Sequence, residues 1–153
     1  MHYLIMKKII LILFLIFHIA SLFSQSYVPQ RPPLLFSLNN NDLRAVLTSK
    51  NSRVKMSDKE IVEVIRIISE RKEEYLALSE KSKRSIPFNA NGKPTGKADP
   101  EIVRAREAVG NEVATSIYEL LGEKRYVQFD KTLIDENARR GSERLKNAMK
   151  NNK

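Results

Sequence analysis

The sequence predicts an all-α protein, with long amphipathic helices in a hairpin or an open arrangement of three or four helices after an N-terminal signal segment. Apolar residues recur at helical spacing from about Ser57 to Met149, and capping sequences stand at the starts of these stretches. Charged residues make up 29% of the chain and aromatic residues 7%, with no Trp. Because little apolar material is available for a thick core, elongated helices fit better than a compact α/β domain.

The first 24 residues have the order of a secretory signal. Lys7 and Lys8 form a positive region, Ile9 to Phe17 is an unbroken apolar run, and small residues follow up to Ser24. We expect cleavage between Ser24 and Gln25 and a periplasmic or secreted mature protein. The alternative is an uncleaved membrane anchor, although a spanning helix needs about 20 apolar residues and this run is shorter. In both cases the positive charge places the remaining chain on the far side of the membrane.

The segment 25–55 is predicted to be a flexible leader that contains one short helix. Pro29, Pro32 and Pro33 favour extended chain over helix. Asp42 is expected to cap the short helix, which runs through about Leu47. The helical domain then occupies residues 56–153.

Local signals mark the first of three long helices. Ser57 and Glu60 form a capping box, in which each side chain bonds an amide of the first turn. This helix is predicted to run to about Lys83. Arg71 and Lys72 interrupt its apolar stripe, either because its core contact ends there or because they belong to a mixed basic and apolar surface.

The second and third helices are predicted on either side of one glycine. Asp99 and Pro100 make a favoured helix start, and Gly122 marks the end of that helix. The third helix is expected from Glu123 to about Met149, with a basic tail whose end frays.

The residues of the predicted mature chain exclude most catalytic and metal chemistry. His2 and His18 both lie in the signal segment, and the chain has no Cys. This excludes disulfides, the usual general base at neutral pH and the commonest zinc and copper ligands. Neighbouring carboxylates such as Glu73 and Glu74 are interpreted as solvated surface charge. We therefore expect no enzyme activity, catalytic residues, cofactor or metal site.

The charge of the chain points to acidic partners. The formal net charge is +9, and removal of Lys7 and Lys8 with the signal segment leaves about +7. Nucleic acid, anionic lipid and acidic proteins are the partners that such a surface attracts. Export makes nucleic acid the least favoured of the three.

Two stretches of the chain resemble a Leu-Thr-x-x-Gln signature, which stands at two helix starts in the Spy/CpxP-type periplasmic proteins. Met56-Ser57-Asp58-Lys59-Glu60 matches the first place, with Ser57 and Glu60 preserving the capping chemistry. Ile117 to Arg125 resembles the second, through Leu121, Gly122 and Arg125. Gly122 has no hydroxyl and Arg125 has no acceptor, so the second match departs from the pattern.

The resemblance implies a cradle-shaped helical dimer that binds unfolded clients weakly on a basic, partly apolar concave face. The candidate binding surface comprises Arg71, Lys72, Arg139, Arg140, Arg144 and Lys146. Family members that bind metals use His or Cys, so metal sensing does not carry over to this chain.

Three functions remain open at this point. The first is a periplasmic chaperone or envelope-stress regulator that holds clients weakly. The second is a structural or regulatory subunit, or an inhibitor, of one specific envelope protein. The third is contact with a membrane surface through the basic tail, which is less favoured because that tail lacks the aromatic and leucine-rich face of an interfacial helix.

Overall fold

The computed structural model describes residues 29–32 and 34–151, and it confirms the all-α fold. Four helices follow in order: α1 (Asn40–Thr48), α2 (Asp58–Arg84), α3 (Pro100–Leu121) and α4 (Glu123–Asn151). The described residues contain no β-strand, and only an isolated bridge pairs Phe88 with Pro94. The predicted signal segment and the last two residues of the basic tail lie outside the described residues.

The starts of α2 and α3 confirm the capping signals in the sequence. The Ser57 hydroxyl accepts a hydrogen bond from the Glu60 amide at 3.3 Å, and the Ser57 amide donates to the Glu60 carboxylate at 2.9 Å. The Asp99 carboxylate accepts from the Glu101 amide at 2.8 Å, with Pro100 at the first helical position. Each device satisfies amides that the helix itself leaves without acceptors.

The expected cap of the short helix was wrong. Asn39, and not Asp42, caps α1, because its side-chain oxygen accepts from the Asp42 amide at 2.8 Å. Asn39 has the extended backbone that a capping residue adopts, so α1 begins three residues earlier than expected. Asp42 lies inside the first turn, where the helix dipole favours a negative charge.

The core lies where α2 and α3 form an antiparallel hairpin that α1 and α4 cover at one end. The antiparallel direction follows from two contacts, Arg71 to Glu112 and Ser85 to Asp99. α1 and α4 also contact each other. The largest fully buried side chains come from all four helices and their flanking segments: Tyr126, Phe129, Leu35, Leu43, Ile61, Ile117, Leu133, Val54, Val64, Val113 and Pro32.

The described part of the leader is packed into this core, contrary to the expectation of a flexible segment. The Tyr126 hydroxyl donates to the Gln30 carbonyl at 2.6 Å. The Arg31 guanidinium lies 5.0 Å from the centroid of the Tyr75 ring, and Phe36 stacks on the same ring at 4.0 Å. The prolines do keep the chain out of a helix, but the apolar side chains between the prolines and α1 are buried: Leu34, Leu35, Phe36 and Leu38.

Two helical segments extend beyond the core. Arg125 pairs with Glu60 near the starts of α4 and α2. Further along the same two helices, α1 links them, because Asn40 contacts Ser69 and Asp42 contacts Arg140. We call residues 76–108 the hairpin tip, residues 137–151 the α4 tail, and the two together the basic end. The rest of the described chain is the four-helix body.

Candidate functional site

The two segments that resemble the family signature lie side by side in the body. The Arg125 guanidinium donates to the Glu60 carboxylate at 2.6 Å and to the Leu121 carbonyl at 3.0 Å. The pKa of Glu60 is lowered, first by the hydrogen bond from the Ser57 amide and then by Arg125. Sequence reasoning saw Arg125 only as a departure from a capping box, because its partner is 65 residues away.

Gly122 has a structural role at the same junction. Its φ of 73° lies in the left-handed region that favours glycine, and this residue alone separates α3 from α4. Its amide donates to the Tyr118 carbonyl at 2.7 Å, while its carbonyl accepts from the Tyr126 amide at 2.9 Å. Leu121 is buried and Met56 half-buried against the core. The signature-like residues therefore fix the helix junction.

The candidate binding residues Arg71 and Lys72 make contacts within the molecule. Arg71 forms ion pairs with Glu112 at 2.6 Å and with Glu74 at 2.9 Å. The Lys72 ammonium donates to the Leu38 carbonyl at 2.6 Å. These cations join α2 to α3 and to the leader. Their charged groups are therefore partly engaged by partners within the protein.

Arg139 and Arg140 border a groove of about 400 Å³ between α1 and α4. Glu136 accepts hydrogen bonds from both guanidinium groups at 2.7 Å. The pKa of Glu136 falls to about 2, first because of the bond from Arg139 and then because of Arg140, although burial opposes the shift. Arg140 also lies 3.7 Å from Asp42 of α1.

The charges in this groove compensate one another. Arg53 forms an ion pair with Asp135 at 2.6 Å, and the Arg53 amide donates to the Thr132 hydroxyl at 3.0 Å. Arg139 also pairs with Glu143 at 2.5 Å. Because each arginine at the groove has a carboxylate partner, the groove is suited to holding α1 against α4 and is a poor site for an external anion.

Arg144 and Lys146 are the candidate residues that remain available. Both lie on the α4 tail, both are exposed, and neither has an ion-pair partner among the described residues. The two apolar side chains beside them are also exposed, Leu145 at 64% and Met149 at 69%. The tail therefore presents basic and apolar groups together.

The structure adds the hairpin tip, whose residues the sequence analysis did not include in the candidate binding surface. From Lys81 to Ala98 the chain has five basic residues and no acidic one. Five exposed cations of the tip have no ion pair within the described chain: Lys81, Arg84, Lys93, Lys97 and Arg104. The absence of acidic residues over this stretch was the signal that could have identified it.

The loop of the hairpin tip is held by its own hydrogen bonds. The Asn89 side-chain oxygen accepts from the amides of Asn91 and Lys93 at 3.0 and 2.9 Å. The Thr95 amide donates to the Pro87 carbonyl at 2.8 Å, and Gly92 adopts the positive φ of a turn. Phe88 stands on this ordered loop with 58% of its surface exposed.

Charge is divided unequally between the two parts of the molecule. The basic end has 12 basic and 5 acidic residues, while the body has 12 basic and 13 acidic ones. The net charge is therefore +7 at the basic end and −1 in the body. The basic end is the candidate functional site, since it combines excess charge with exposed apolar side chains.

Two observations concern metal binding and protonation. No group of three or more His, Cys, Asp or Glu in the described part of the chain is arranged to hold a metal ion. Burial raises the pKa of Asp130. None of the described helices is long and apolar enough to cross a membrane.

No family model, curated protein or solved structure matches this chain. The described residues define the class: a four-helix fold with a nearly neutral body and a strongly basic end. The similarity to the Spy/CpxP-type proteins stays a prediction from the sequence.

Proposed function

We propose that this protein is an exported, non-enzymatic binding protein that recognises one folded partner in the envelope. The main support is that, within the body, most of the apolar side chains of the four helices are buried in the internal core. A chaperone that holds unfolded clients would need a broad apolar surface to hold them. The exposed large apolar residues of the described chain stand instead at six positions: Val62, Leu76, Phe88, Ile134, Leu145 and Met149.

The paired cations support the same proposal. Arg71 and Lys72 would line the concave basic face of a chaperone, yet both are bonded within the molecule. The basic end keeps its cations available on ordered helices and an ordered loop. Because ordered groups lose little conformational freedom on binding, such a surface favours a specific partner over variable clients.

The experiment compares holding activity with specific binding. The processed chain (residues 25–153) is mixed with an aggregating client at low and high ionic strength, and light scattering is measured. We expect no suppression of aggregation in either condition. Suppression that is strong at low salt and lost at high salt would support the chaperone function in place of our proposal.

Site-specific crosslinking tests the partner directly. A photoreactive residue at Lys146 is expected to give one dominant adduct in the envelope fraction, and Val62 on α2 serves as the matched exposed control in the body. The adduct should also be lost when Arg144 and Lys150 are both replaced by Glu. A ladder of many adducts, or equal adducts from both positions, would contradict the recognition of one partner.

A further inference from the structure

The first step is the position of the excess charge. The hairpin tip has 7 basic and 4 acidic residues, whereas the body is nearly neutral. Five exposed cations of the tip have no ion pair within the described chain: Lys81, Arg84, Lys93, Lys97 and Arg104. A negatively charged surface attracts a molecule with this charge distribution through its tip.

The second step is the shape of the surface. The basic end consists of a two-helix tip and a single helix of 15 residues, which extends about 22 Å at 1.5 Å per residue. A stable protein–protein interface buries about 800 Å² on each partner in a continuous patch. The hairpin tip is a narrow projection of two helix ends and one loop, and it suits a diffuse anionic surface because lipid headgroups require no continuous shape match.

The third step is the aromatic residue on the hairpin tip. Phe88 is 58% exposed, and the loop that carries it is ordered by bonds from the amides of Asn91 and Lys93 to the Asn89 side chain and from the Thr95 amide to the Pro87 carbonyl. The sequence-based objection to membrane contact was that the tail lacks an aromatic and leucine-rich face. The tip supplies an exposed aromatic side chain among cations.

We propose that the hairpin tip docks on an anionic phospholipid surface, with Phe88 entering the headgroup region and the surrounding lysines and arginines facing lipid phosphates. The α4 tail then stays available to the folded partner proposed above. This proposal goes beyond that function and can fail independently, since vesicles contain no protein. An acidic protein as the target of the hairpin tip is the competing outcome.

Vesicle sedimentation of residues 25–153 tests the proposal. Binding is expected to vesicles of phosphatidylglycerol and phosphatidylcholine in equal amounts, and not to phosphatidylcholine alone. It should weaken as salt is raised, because exposed charges are screened. Each basic residue near an anionic surface contributes about fivefold to partitioning, so Lys93→Glu with Lys97→Glu should lower the partition coefficient more than about 25-fold.

The matched control changes charge equally in the body. Lys59 and Lys124 are exposed, have no ion pair within the described chain, and lie in the first turns of α2 and α4. Lys59→Glu with Lys124→Glu should lower partitioning several-fold at most. If both double variants lose binding equally, or if the unsubstituted protein does not bind anionic vesicles at low salt, the proposal is wrong.

Fluorescence tests the insertion of the tip. The chain has no Trp, so Phe88→Trp creates a single indole on the loop, and Val62→Trp creates one on an exposed position of the body. Anionic vesicles should shift the emission of the first to shorter wavelength and leave the second unchanged. An unchanged spectrum for Phe88→Trp in vesicles that sediment with the protein would overturn the assignment of Phe88, and a blue shift with an acidic polypeptide in place of vesicles would favour a protein target.

Discussion

The body and the basic end are built from the same three helices, yet they differ in what covers those helices. α2, α3 and α4 each pass from one part into the other without a break in the helix. In the body their apolar side chains are buried and the acidic and basic residues nearly balance. In the basic end, apolar residues at the same helical spacing remain exposed among excess cations. An amphipathic pattern thus predicts a helix, but it does not show whether the apolar stripe is covered.

The largest expected contrast comes from two leucines on α4. Leu133 is fully buried in the body, while Leu145 in the tail is 64% exposed. Leu133→Ala removes buried methyl groups and leaves a cavity, so we expect the free energy of unfolding to fall by about 2–5 kcal/mol. Leu145→Ala should change it by less than about 0.5 kcal/mol.

Urea unfolding followed by circular dichroism at 222 nm measures both changes. The two variants share the helix, the residue type and the substitution, so intrinsic helix propensity cancels. A similar loss of stability in both would mean that the tail packs against something in solution, for example a second copy of the chain, and the division into body and basic end would need revision.

The second contrast concerns acid stability and the carboxylate at the boundary between the two parts. The pKa of Glu136 is about 2 in the folded protein, against about 4.3 for an unperturbed Glu. A carboxylate whose folded pKa is lowered stabilises the protein above the unfolded pKa and loses that contribution as the pH falls through the folded pKa. Glu136→Gln should therefore lower stability at pH 7.

The stability curves of the unsubstituted protein and Glu136→Gln should converge as the pH falls from about 4.3 towards 2. The control is Glu143→Gln on the same helix, which also removes a carboxylate partner of Arg139 but lies in the exposed tail. Exposed ion pairs contribute little to stability, so its effect at pH 7 should be small. Parallel curves for Glu136→Gln and the unsubstituted protein across this range would contradict the role given to Glu136.

The helix boundaries could be predicted from the sequence because their causes are local. Ser57 bonds within its own first turn, Pro100 follows its capping residue directly, and Gly122 alone supplies the backbone conformation of the junction. For α1, the sequence predicted Asp42 as the cap, but Asn39 has the extended backbone of a capping residue and caps the helix. An error of this kind shifts a boundary without changing the element.

The leader and the site depend on contacts between distant residues, which local patterns do not contain. The prolines indicate extended chain, and they do not reveal that Phe36 lies on the ring of Tyr75. The pairing of Arg71 with Glu112 likewise depends on how α2 and α3 align. Of the candidate binding residues, only Arg144 and Lys146 combine exposure with the absence of an ion pair in the described chain. The hairpin tip was identified from its exposed, unpaired cations, and the only local signal for it was the stretch without acidic residues.

The smallest expected contrast uses two helical glycines, one in each part of the molecule. Nothing lies within 4 Å of a Cβ added at Gly141 in the tail, whereas one added at Gly110 would lie 2.5 Å from Cδ of Arg31. Gly141→Ala should raise the helicity of the tail, since Ala is favoured over Gly in a helix by up to about 1 kcal/mol. At Gly110 the gain in helix stability from Ala is opposed by a cost, because the Arg31 side chain must move away from the Tyr75 ring to make room for the new Cβ.

A double-mutant cycle separates these two effects at Gly110. In the Arg31→Ala background the side chain that meets the new Cβ is absent, so Gly110→Ala should be more favourable there than in the unsubstituted protein, by about 0.5–1 kcal/mol or more. Thermal unfolding measures the cycle, and amide exchange in the α4 tail measures Gly141→Ala. Additive effects at Arg31 and Gly110 would show that the leader does not rest on α3 at this point, and the described leader would then not belong to the body.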